Sequence, residues 1–154
     1  MRKGFVIALT AVAAVLLAPT ALADKPVKEP APFGEFTGQY CEDFAVRIVA
    51  TTDQETMKTF SDGSAMITGS LKVDVTNLEN GKTIALNISG PATFTADGAM
   101  LIGTGRWLFF GEPGFFGRPG PTLELSIGRF TLDLATETLT SRNGTVRQLC
   151  GALA

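Results

Sequence analysis

Ala65-Met66-Ile67-Thr68-Gly69-Ser70-Leu71-Lys72-Val73-Asp74-Val75-Thr76-Asn77-Leu78-Glu79-Asn80-Gly81-Lys82-Thr83-Ile84-Ala85-Leu86-Asn87-Ile88 decides the fold class. Ile67, Gly69, Leu71, Val73 and Val75 keep one phase, with Lys72, Asp74 and Thr76 on the other. After Glu79-Asn80-Gly81, the residues Ile84, Leu86 and Ile88 repeat the pattern. A period of two sends one set of side chains to a core and the other outward, as half-buried antiparallel strands do. Asn-Gly supplies the positive φ angles of a tight hairpin connection.

The same reading extends in both directions. Phe44, Val46 and Ile48 alternate with Ala45, Arg47 and Val49, and Asp62-Gly63 and Asp97-Gly98 are further hairpin signals. No stretch after residue 23 holds a 3.6 period for two turns, so the class is all-β. Strands are expected near 44–51, 55–60, 64–77, 83–89, 92–96, 99–110, 122–134 and 137–149. In the seventh, the apolar phase of Leu123, Leu125 and Ile127 slips by one before Phe130, Leu132 and Leu134, which reads as a β-bulge at Gly128-Arg129. Successive hairpins predict a single antiparallel up-and-down β-barrel of about eight strands, with a β-sandwich as the alternative. A turn at Asn143-Gly144 would make nine.

The chain begins with a short positive start, Arg2-Lys3, then an apolar run from Gly4 to Ala18, then Ala21-Leu22-Ala23. That order is the signature of a cleavable signal peptide over 1–23. The apolar run, about 15 residues, is short for a membrane span of about 20, so no span is expected after processing. Cleavage leaves 131 of 154 residues, enough for one core. It takes the 13 basic residues to 11 against 15 acidic ones, a net charge of −4. Without a cationic run, nucleic acid is not an expected partner. Residues 24–39, with Pro26, Pro30 and Pro32 among charged side chains, read as a flexible tail before a domain at 40–154. Cys41 and Cys150 lie near the ends of that domain, and in the secreted, extracellular setting a signal peptide implies they are expected to pair.

The chain has no histidine, which excludes Ser-His-Asp and Cys-His catalysis and histidine metal ligation. Carboxylates such as Asp62, Asp74, Glu79 and Asp97 sit in turns or at outward positions and read as solvated surface. The glycines from Gly103 to Gly120 precede no helix that could present its N-terminus to a phosphate, so they read as strand kinks and turns. No catalytic set, cofactor or metal is expected.

The segment 107–121 breaks the alternation. Trp107-Leu108-Phe109-Phe110 makes both faces of a strand end apolar, and Phe115-Phe116 follow between Gly and Pro. Trp107, Phe110, Phe115 and Phe116 are therefore candidate ligand-binding residues at a barrel mouth; the competing reading folds the loop back as a plug. Arg106 shares the phase of Met100, Ile102 and Leu108, which makes it the candidate inward cation for a ligand carboxylate.

Thr59-Phe60-Ser61-Asp62-Gly63, Val75 to Lys82, and Asn87-Ile88-Ser89-Gly90-Pro91 resemble stretches of small uncharacterised secreted proteins of actinobacteria. The signal peptide, a Cys at each end and the ending Cys150-Gly151-Ala152-Leu153 share in that likeness. The resemblance implies a bacterial exported protein and brings no activity with it. The expected function is a secreted non-enzymatic binding or interaction protein that meets an apolar small molecule or a protein partner through 107–121. The alternatives are a small barrel enzyme of isomerase or cyclase type acting on an apolar substrate, and a cell-surface structural protein. A lined pocket of roughly 300 Å³ or more would favour ligand binding.

Overall fold

The in-phase run from Ala65 to Asn77 forms two strands that belong to different sheets. The computed structural model describes residues 25–154; the expected signal peptide lies outside them. The elements are β1 (Val27–Pro30), β2 (Glu35–Gly38), β3 (Val46–Asp53), β4 (Thr56–Thr59), β5 (Ala65–Thr68) and β6 (Leu71–Asn77). They continue with β7 (Thr83–Asn87), β8 (Ala92–Phe94), β9 (Met100–Gly111), β10 (Thr122–Asp133), β11 (Thr138–Gln148) and a short helix, α1 (Cys150–Leu153). One sheet has the order β1-β4-β5-β8-β9-β10-β11 and the other β2-β3-β6-β7, and every pairing between these strands is antiparallel. Among the described residues no helix is long and apolar enough to cross a membrane.

The two orders match. β1 continues into β2, β4 from β3, β5 into β6, and β8 from β7, so the first four positions of the larger sheet lie on the same four chain segments as the smaller sheet. Four neighbouring strands therefore bend together and pass from sheet to sheet, as at the corners of orthogonally packed sheets. Gly69 shows why the bend falls where it does. Its φ is +151°, and a Cβ there would sit 2.3 Å from the Gln54 carbonyl oxygen. The Gln54 N–H donates to the Ser70 carbonyl at 2.9 Å, stitching the two crossing chains.

Counted through their bends, the strands follow one another in up-and-down order, as the hairpin signals imply. Gly63, Gly81 and Gly98 hold the three tight turns at φ of +87°, +74° and +69°. Among the described residues neither sheet closes into a ring of pairing: the larger ends at β1 and β11, the smaller at β2 and β7. The fold is all-β with two antiparallel sheets. Val46 and Ile48 of β3, Leu71, Val73 and Val75 of β6, Leu108 of β9 and Leu123 and Leu125 of β10 share one buried cluster. The apolar phases of both sheets thus meet in a single core. Cys41 and Cys150 are bonded across 109 residues, with their Cα atoms 5.7 Å apart.

Three expectations are corrected. The expected tail at 24–39 is not free over its described residues, 25–39: β1 pairs with β4, β2 pairs with β3, and Phe33 and Phe36 pack on the core. Its prolines are tolerated because β1 is an edge strand and Pro30 ends it. Asn143-Gly144 is no turn but lies inside β11, with Gly144 opposite Gly128. The register of β9 with β10 is unbroken from Thr122 to Asp133, so no bulge sits at Gly128-Arg129; the irregularity against β11 falls between Thr131 and Leu132.

A glycine row replaces that bulge. Gly128 of β10 is the partner of both Gly105 of β9 and Gly144 of β11; the φ angles of Gly105, Gly128 and Gly144 are +84°, +145° and +128°. A Cβ at Gly128 would fall 2.0 Å from the Asn143 oxygen, and one at Gly144 2.1 Å from the Ile127 oxygen. The larger sheet bends along this row. Phe130 is opposite Gly103, six positions from Phe109 along β9 and about 20 Å away in a straight strand, yet the two rings lie 4.9 Å apart edge to face. The apolar side chains therefore change face with no change of register. Leu123 and Leu125 face the inter-sheet core, while Phe130 packs inside the bend on Phe109 and Trp107.

Candidate functional site

Where the four strands bend, the two sheets part around an apolar cleft of about 520 Å³. The segment joining β1 to β2 forms one wall with Pro30, Pro32 and Phe33; Met57 of β4 and Ile67 of β5 form another. β9 supplies Trp107, Leu108 and Phe110, and Leu71 and Ile88 reach in from the core. Glu55, in the β3–β4 bend, is the one ionisable residue of the lining.

Backbone hydrogen bonds hold the first wall in place. The Ala31 N–H donates to the Glu55 carbonyl at 3.1 Å. Asp53 accepts from the Phe33 N–H at 2.8 Å through Oδ2 and from the Glu55 N–H at 3.3 Å through Oδ1. One carboxylate thus ties the 31–34 link to the neighbouring bend. Burial pushes the Glu55 carboxyl above the ordinary glutamate value, and the Asp53 charge adds to it.

Trp107 is placed by two local features. Its Nε1–H donates to the Thr104 carbonyl at 3.0 Å, and its ring meets Phe130 edge to face at 5.2 Å. Gly90 makes room, since a Cβ there would come 2.2 Å from Nε1. Phe110 packs tilted on Phe36 at 5.0 Å and edge to face on Tyr40 at 5.2 Å, and separates the cleft from a second hollow of about 370 Å³ bordered by Glu112 and Phe115. Burial, with the Glu112 charge beside it, raises the Tyr40 hydroxyl above its ordinary value.

The five residues singled out in the sequence do not form one surface. Trp107 and Phe110 line the cleft. Arg106 is exposed and is not among the lining residues, so it is not the inward cation its phase suggested; it stands opposite Ile127, itself 40 % exposed, where that part of the sheet face meets solvent. Phe115 is 42 % exposed at the second hollow, whereas Phe116, its ring 6.2 Å from that of Phe115, packs on Phe109 at 5.2 Å. The loop after β9 is therefore neither a plug nor a free flap. Pro30, Phe33, Glu55, Met57 and Ile67 escaped the sequence reading; the aromatic pair Phe33 and Phe36 was the signal that the supposed tail had apolar area to bury.

The split between the two phenylalanines sets a measurable expectation. Phe115→Ser should leave the unfolding free energy from urea denaturation within about 0.5 kcal/mol of wild type, as surface changes do. Phe116→Ser, at a half-buried position, should cost about 1–2 kcal/mol, below the 3–5 kcal/mol of a fully buried aromatic. Equal losses at the two positions would contradict the placement.

Among the described residues no three cysteine or carboxylate side chains converge to hold a metal ion. The chain matches no protein-family model, no curated protein and no solved structure, so its function is read from its own residues.

Proposed function

We propose that this is an exported, non-enzymatic binding protein that holds an apolar small molecule in the cleft between the bent strands. The observation that supports the reading is the cleft itself. At about 520 Å³ it falls within the range of roughly 300–1,000 Å³ typical of ligand sites, and its walls are almost wholly apolar. The bonded cysteine pair fits an oxidising compartment and so supports export. We read the bent strands as a barrel left unclosed between its first and last strands, with the Cys41–Cys150 bridge at that seam in place of strand pairing.

The test uses N-phenyl-1-naphthylamine, a neutral dye that brightens in apolar surroundings. Wild-type protein should bind it with saturation, and Ile67→Trp, which fills the cleft from β5, should lose at least most of that signal while unfolding cooperatively. Phe115→Ser, outside the cleft, should bind as wild type does. A wild-type protein without saturable fluorescence, or an Ile67→Trp variant that binds equally well, would sink the reading.

A further inference from the structure

We propose that the molecule taken by the cleft is a cationic amphipath, whose protonated amine meets the Glu55 carboxylate while its apolar body lies among Met57, Ile67 and Trp107. The inference rests on the cleft being a binding site and adds the chemistry of the head group. A site that needed only to hold hydrocarbon would have no reason to keep a carboxyl in its lining, where burial disfavours the charge. Glu55 is a half-buried member of the lining whose carboxyl, raised by burial and by the Asp53 charge, reaches solvent and accepts no hydrogen bond from the described residues. Asp53, exposed and outside the lining, has its two oxygens occupied by backbone N–H groups of Phe33 and Glu55, and its charge, two residues away, adds to that of Glu55.

The charged side chains on the surrounding strands leave that balance unchanged. Lys28 and Glu29 of β1, Lys58 of β4 and Arg106 of β9 are not part of the cleft wall. A ligand carboxylate would meet two like charges there. A neutral hydroxyl could donate one hydrogen bond. An ammonium group supplies three donors and the opposite charge, and so satisfies Glu55 most completely.

Titration calorimetry on the disulfide-bonded protein at neutral pH and low salt can separate the head groups, using octylamine, octanol and octanoate as probes with one common tail. Octylamine should bind about tenfold more tightly than octanol, with octanoate weakest, since a charge-assisted hydrogen bond adds to the shared apolar contact. Glu55→Gln should bring octylamine down to the octanol level and leave octanol unchanged. In wild type, acidification should remove the amine preference as Glu55 takes up a proton, above the pH at which an ordinary glutamate would; the amine stays charged throughout and octanol binding should not follow. Octanol binding with no amine preference, or an amine preference that survives Glu55→Gln, overturns the head-group inference and leaves the apolar site standing. Failure of all three probes to bind overturns the apolar site and the inference with it.

Discussion

Cys41→Ser is expected to lower the unfolding free energy by about 2–5 kcal/mol without changing the fold. The bridge spans 109 residues, and in the chain-entropy view closing a loop of about 100 residues removes roughly 4.7 kcal/mol of freedom from the unfolded chain. The native side adds to this. Cys41 is 1 % exposed, so a serine hydroxyl placed there without a partner would carry its own desolvation cost. Cys150 opens α1, which buries Leu153 in the core, and the Leu153 carbonyl accepts from the side-chain amides of Asn77 and Asn80 at 3.1 and 3.0 Å. The bridge therefore fixes an end of the chain that is also part of the core. Urea denaturation gives the readout: the variant should unfold at lower urea without reductant, and strong reductant should lower the wild-type midpoint towards that of the variant. Equal midpoints for variant and wild type without reductant would exclude a stabilising bridge.

The parts of this fold that sequence makes legible are the local ones. Alternation from Leu71 to Asn77 appears directly as burial alternating along β6, because facing in or out is decided residue by residue. Asp62-Gly63, Asn80-Gly81 and Asp97-Gly98 hold the expected turns because a positive φ is a demand that glycine alone meets cheaply. The sheet change at Gly69 is invisible to the same reasoning. Side-chain phase runs through it undisturbed, and the bend is set by the approach of Gln54 from the neighbouring strand, a contact between residues 15 apart in sequence. The phase slip beyond Gly128 was visible but ambiguous, since a bulge and a fold line both move apolar residues to the other face. Only pairing with Gly105 and Gly144 decides between them.

Much the same division runs through the candidate site. Trp107 and Phe110 announce themselves by breaking the alternation of a strand, and both line the cleft. The wall from Pro30 to Phe33 belongs to a segment too polar to order itself, and it is ordered by edges and aromatic rings elsewhere: Phe33 meets Phe36 edge to face at 5.1 Å, and Phe36 packs tilted on Phe110 at 5.0 Å. Glu55 has the sequence context of a turn residue beside Asp53, and nothing local says that the bend around it encloses a cavity. Tertiary bending creates this site, so its members are drawn from bends rather than from motifs.

Glu124 shows the same effect at its largest, and Arg142→Met is expected to cost about 3 kcal/mol or more. With Leu123 and Leu125 in the core, Glu124 must lie on the other face of β10, where alternation predicts solvent. The glycine row folds that face inward, and the loop from Glu112 to Pro121 lies over it, leaving Glu124 1 % exposed. Its Oε1 accepts from Arg142 and lies 3.5 Å from Arg118 Nη2, and its Oε2 accepts from Gln148 at 2.8 Å. Arg142 stands six positions along β11 from the partner of Glu124, so it reaches the carboxylate only because the sheet is bent. Removing one member of a buried ion pair costs about 3–5 kcal/mol because it strands the other charge. Arg118 remains as a partial partner, half in solvent, which points to the lower end of that range. Against a typical stability of about 5–15 kcal/mol this is a severe loss. Glu124→Gln combined with Arg142→Met removes the stranded charge and should recover most of it, a recovery that mere loss of Arg142 packing would not give. A cost for Arg142→Met of only about 0.5 kcal/mol, the size of an exposed ion pair, would show that Glu124 is hydrated and that the loop does not close over it.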